Sequence, residues 1–176
     1  GTDTRDYIII FGRTHAVSLQ EALTGNVEVG YLVLNWLVGC ISTEFYVLFA
    51  VIAIIVVGCY QRVILRYAVN YEIAFLAFIT MGTYTFFFNG ARQGIAAAIG
   101  ALAIPFLLER RLYAYGACII FASLFHVSAL ILLPAYFLAH GHNTLKRNAQ
   151  IAVAGIVLAL GFNALVSIAS GFDERY

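Results

Sequence analysis

Charge is what this sequence has least of: Asp, Glu, Lys and Arg make up 11% of its 176 residues, while 62% are hydrophobic and the mean hydropathy is +0.90. Ordinary soluble domains carry roughly 25% charged residues, so water is excluded as the main solvent of the chain. The ten basic residues are scattered among loops and form no stripe, which with a net charge of +1 excludes a nucleic-acid surface. Cysteine is scarce as well. Cys40, Cys59 and Cys118 lie far apart, without CxxC or Cys/His ligand spacing. A disulfide framework and a zinc site are excluded, and small packing residues remain. P-loop, GxGxxG, HExxH and GxSxG patterns are all missing, so ATPase, dinucleotide and soluble hydrolase chemistry has no footing. No metal and no cofactor is expected.

What is present is a set of charge-free runs at 45–61, 73–91, 93–108, 112–139 and 148–172. A hydrocarbon core about 30 Å thick takes roughly 17 to 25 apolar residues per helical span. The runs lack the period-two alternation of a membrane barrel. They predict an all-α, polytopic transmembrane bundle of about five to six membrane-embedded helices, near 44–65, 71–89, 91–109, 113–125, 127–139 and 149–170. Residues 1–43 differ. Asp3, Asp6, Glu21 and Glu28, with Glu44 at the border, outnumber Arg5 and Arg13. Within them the apolar stretch 29–40 would be a helix of only about 18 Å, too short to cross and therefore interfacial or re-entrant. The chain thus divides into an outward-facing polar segment, 1–43, and a transmembrane bundle, 44–176. It opens at Gly1 without Met or signal-peptide order and closes on Asp173-Glu174-Arg175-Tyr176, as expected of a fragment of a larger membrane protein.

Cytoplasmic loops carry the excess of Lys and Arg. This places Arg62, Arg66, Arg110 and Arg111 inside, and Arg92 with the first 43 residues outside. Residues 113–138 admit two readings. One tilted helix of about 39 Å would leave Lys146 and Arg147 outside. Two short helices meeting near His126 as a re-entrant hairpin would return both to the cytoplasm, and the charge rule favours this. The third run is rich in Gly and Ala, with Gly90 and Gly94 forming one GxxxG, and is expected at the centre of the bundle.

Two residues stand out against lipid. Arg92 begins an apolar helix, and an Arg costs about 2.5 to 3.5 kcal/mol at a helix centre on insertion scales, less near an end. The first turn of a helix already favours an anion, and a guanidinium there can grip two oxygens of a phosphate. The competing reading has Arg92 snorkelling to headgroups or pairing with Glu72 or Glu44. His126 lies about 20 Å up from the Arg110/Arg111 loop, at a depth that lets it share an outward-opening pocket with Arg92. Its competing reading is a core imidazole bonded to Ser123. Asp3, Asp6 and Glu28 offer carboxylates that could accept a proton from a sugar hydroxyl, although each alone reads as solvated surface.

Four segments together have a familiar order: Gly1-Thr2-Asp3 with Tyr7, Glu28-Val29-Gly30-Tyr31, Ala91-Arg92-Gln93-Gly94-Ile95-Ala96, and Phe125-His126-Val127-Ser128-Ala129-Leu130. In order and spacing the chain resembles the EpsG family of Wzy-type exopolysaccharide polymerases. The resemblance implies a multi-pass protein of the bacterial inner membrane that polymerises undecaprenyl-pyrophosphate-linked oligosaccharide repeats at the outer face. It implies Arg92, His126, Glu28 and Asp3 as catalytic residues, and Arg92, Gln93, Ser128 and Tyr31 as substrate contacts. Lipid-linked oligosaccharide, membrane lipid and other polysaccharide-assembly proteins would be the partners. A transporter or flippase of lipid-linked sugars, or a glycan O-acyltransferase, would also carry intramembrane Arg or His and stays open on the residues alone.

Overall fold

The computed structural model describes residues 2–25, 27–140, 144–146, 149–150, 152–153 and 156–157, with backbone alone at residues 2, 3, 84, 86 and 88. All regular structure among them is helical. Helix α1 (Thr2–Thr14) buries Tyr7, Phe11 and Thr14, a stripe at helical spacing. Ser18 starts the short α2 (Leu19–Ala22) by accepting the Glu21 N–H. Helix α3 (Val29–Gly39) follows, with Tyr31, Leu32, Asn35 and Val38 buried; Asn35 Nδ2 donates to the Tyr31 carbonyl at 2.6 Å, while its Oδ1 has no partner among the described residues. Helix α4 (Phe45–Tyr67) turns Leu48, Ile52 and Val56 inward. Its other faces are apolar and exposed, Ile54 at 72%.

The run 71–89, expected as one helix, is two: α5 (Tyr71–Thr80) and α6 (Thr83–Asn89). They break at Met81–Gly82, where Gly82 takes φ +78°, a left-handed backbone that glycine adopts without strain. Helices α7 (Ala91–Ala101) and α8 (Ile104–Leu108) succeed each other across Leu102–Ala103 and together make one apolar unit of 18 residues. Helix α7 occupies the centre, burying Ala91, Gly94, Ile95, Ala96, Ala98, Ile99 and Gly100 against α4, α6 and the next helix, α9 (Leu112–Ser123). A Cβ at Gly94 would lie 2.5 Å from the Cβ of Phe87, so the close approach of α6 requires the missing side chain.

After α9 the helix stops. Phe125 and His126 lead into a 3-10 turn (Val127–Leu132) and then α10 (Leu133–His140), with His126 extended at φ −159°, ψ 120°. The Tyr115 and Tyr136 rings sit 5.5 Å apart and Tyr115 Oη donates to the Leu132 carbonyl. A continuous helix would separate those tyrosines by about 31 Å, so the chain doubles back at His126. The expected last helix, 149–170, falls for the most part outside the described residues.

Two helical units among the described residues are long and apolar enough to cross a membrane, Phe45–Tyr67 and Ala91–Leu108. These are fewer than the five to six membrane-embedded helices expected. Gly82 divides the run 71–89, and the extended backbone at His126 divides the run 112–139, into helices shorter than a bilayer crossing needs.

Candidate functional site

The site is assembled at the first turn of α7 from three distant stretches of chain. Glu28 is the N-cap residue of α3, with extended backbone at φ −60°, ψ 135°, and its side chain does not cap its own helix. The carboxylate reaches outward instead. Its Oε2 accepts from Arg92 Nη1 at 2.5 Å and its Oε1 from His126 Nδ1 at 2.8 Å. One carboxylate thus joins residues 64 and 98 positions away in sequence.

Local backbone chemistry puts each group in place. The Gly30 N–H donates to the Leu124 carbonyl at 2.8 Å, which fastens the first turn of α3 to the end of α9 two residues before His126. A Cβ at Gly30 would stand 2.7 Å from that carbonyl oxygen, so only glycine fits. Tyr31, the next residue, is fully buried, with its ring edge-on to Tyr7 of α1 at 5.7 Å. The extended backbone at His126 turns the imidazole away from α9 and toward α7, where Gln93 Nε2 lies 3.3 Å from His126 Nε2.

An ionised carboxylate can only accept, so His126 donates from Nδ1 to Glu28, and its Nε2 faces the Gln93 side-chain amide. Burial alone would raise the Glu28 carboxyl, but its own backbone N–H, the Arg92 guanidinium and the His126 hydrogen bond outweigh burial and hold it below its ordinary value. Side-chain exposures of 15% for Glu28, 31% for Arg92 and 21% for His126 describe a cluster sheltered from solvent yet open on one side. Two buried donors, Arg92 Nε and Tyr31 Oη, find no hydrogen-bond partner among the described residues.

Among the sequence candidates, the structure brings Glu28, Arg92, Gln93 and His126 into one constellation, with Tyr31 immediately behind it. Ser128 is exposed in the 3-10 turn, two residues beyond His126. Asp3 lies in α1, one helical turn before Tyr7 and on the same face by register, and its side chain is outside the described atoms. Asp6 is exposed. The alternative partners fall away. Glu28 holds Arg92, whereas Glu72 bonds Tyr71 and Glu44 begins α4; Ser123 Oγ donates to Ile120 O rather than to His126. Tyr7, present in the first signature segment beside Gly1-Thr2-Asp3 but assigned no role there, brings its phenol close to the Arg92 guanidinium. No three His, Cys, Asp or Glu side chains among the described residues gather as metal ligands would.

No curated protein and no solved structure matches the chain at a significant level. The family model of EpsG matches residues 1–176, the whole length, and so takes in all four segments that build or border the constellation. With this match the chain belongs to the EpsG family, a Wzy-like polymerase family whose members are membrane proteins.

Proposed function

We propose that the chain carries the site of an enzyme that polymerises undecaprenyl-pyrophosphate-linked oligosaccharide repeats at the outer face of the bacterial inner membrane. The observation that carries this reading is the carboxylate of Glu28 shared between Arg92 and His126 at the N-terminus of an apolar helix. A hydroxyl of the acceptor glycan attacks the anomeric carbon of the donor. The new glycosidic C–O bond forms as the bond to pyrophosphate breaks, and the hydroxyl proton passes to His126 Nε2, where the acceptor hydroxyl displaces the Gln93 amide. Glu28 keeps that nitrogen basic by holding Nδ1–H, and it stabilises the imidazolium that results.

The departing pyrophosphate takes the electron pair. Arg92 spends Nη1 on Glu28 and brings its fixed positive charge to the leaving group, and the first-turn amides of α7 add their dipoles. Gln93 orients the imidazole and Ser128 and Asp3 are assigned to the sugar side, whereas Tyr31, expected as a substrate contact, is fully buried behind the cluster and supports it without reaching substrate. In this reading α4 and the Ala91–Leu108 unit span the bilayer. The shorter helices pair into re-entrant hairpins that bring the membrane-embedded helices to the expected five to six, and residues 1–43 face outward.

The reaction class is tested with the purified complete protein, a radiolabelled lipid-linked repeat and no ion gradient. Glycan chains are expected to lengthen while free lipid pyrophosphate accumulates. Movement of the lipid between leaflets without elongation would identify a transporter, and consumption of an acyl donor would identify an acyltransferase.

A further inference from the structure

A cavity of about 260 Å³ lies between α4, the α5–α6 break and α7, lined by Val56, Met81, Gly82, Phe87, Gly94 and Ala97 among others. Two glycines shape its wall: Gly82 breaks the helix with its left-handed backbone, and Gly94 lets Phe87 of α6 pack directly against α7. Its walls are mainly hydrocarbon and aromatic, with the hydroxyls of Thr83 and Tyr60 as the polar exceptions.

Its position relative to the polar cluster is set by helix geometry. Gln93, which contacts His126, and Ala97, which lines the cavity, are four residues apart on α7 and so share one face. From Arg92 to Ala97 the axial rise is about 8 Å. Both Gln93 and Ala97 are exposed. One continuous surface thus runs from a charged, hydrogen-bonding turn to an apolar recess one turn deeper along the same helix.

A lipid diphosphate has that same division, a polar group joined directly to hydrocarbon. We infer that this cavity seats the first isoprenoid units of the donor's lipid carrier, with the pyrophosphate on the first turn of α7. The inference rests on the proposed polymerase reading and adds the subsite for the lipid. The recess makes the carrier a recognised part of the substrate.

The test uses the complete protein in detergent with two donors bearing the same glycan pyrophosphate, one on a long polyprenyl chain and one on a single isoprene unit. Ala97→Trp fills the recess without touching the charged cluster. It is expected to raise KM for the long-chain donor at least tenfold, to leave kcat within about twofold, and to leave the short-chain KM unchanged. An unchanged long-chain KM, or an equal rise for both donors, overturns the inference.

A second readout is independent of turnover and of the variant's folding. Diazirine-bearing farnesyl diphosphate is photolysed on the unsubstituted protein, and the labelled peptide is identified. Label at Met81 or Ala97 supports the subsite; label confined elsewhere, including on a second copy's surface, overturns it. Label at Met81 or Ala97 without glycan elongation by the unsubstituted enzyme would sink the polymerase reading and leave a polyprenyl diphosphate site standing.

Discussion

Glu28 decides the character of the cluster, and its environment makes it testable. Its carboxyl is held below the ordinary value of 4.5, so its ion pairs contribute stability fully above that pH. The contribution is lost as pH falls through the lower, folded value. Glu28→Gln keeps the shape but not the charge. It should lower the thermal midpoint of the purified protein at neutral pH, and the gap from the unsubstituted protein should narrow as pH drops below 4.5. A gap independent of pH would mean that Glu28 acts through packing. Arg92 and His126 were legible in the sequence because a charge and an imidazole in apolar surroundings need partners. Glu28 was less so: as a carboxylate near the end of a polar segment it read as solvated surface, and only the fold reveals two cation-capable groups converging on it.

At the scale of elements, the site depends on where helices stop. Gly30 lets α3 touch the carbonyl end of α9, and the extended residue that follows α9 delivers His126. Gly30→Ala places a methyl against the Leu124 backbone, which must shift. Overpacking of this kind costs about 1 to 3 kcal/mol. The expected outcome is a lower thermal midpoint together with at least a tenfold loss of polymer formation, because Glu28 and His126 are pushed apart. Full activity in Gly30→Ala would show that the contact does not set the distance between them. Composition revealed that the elements are helices, and the small residues of α7 revealed its central place. The break at Gly82 escaped hydropathy because it does not interrupt an apolar run with charge. A single glycine with positive φ has no compositional signature.

Over the whole molecule, Arg66, Arg110 and Arg111 fall at helix ends joined by the Arg66–Glu109–Arg111 ion pairs, with Arg62 one turn earlier in α4, so α4 and α8 end together. Charge bias over short loops then predicts that this end is cytoplasmic and that residues 1–43 face outward. Single cysteines at positions 5, 62 and 111, in a background with Cys40, Cys59 and Cys118 replaced by Ser, are checked by an impermeant maleimide on intact cells. Labelling at position 5 alone is expected, and labelling at 62 or 111 with none at 5 would invert the protein. The central claim, that the cluster at the α7 N-terminus makes polymer, is tested most directly by Arg92→Lys and His126→Ala, each made alone in the complete protein, with polymer length and protein abundance measured together. An ammonium keeps the charge but cannot reproduce a forked guanidinium contact, and losing one well-aimed donor costs about a hundredfold or more in rate. Both variants are expected to accumulate normally and to lose long polymer; normal abundance with full-length polymer in either would contradict the account for that residue.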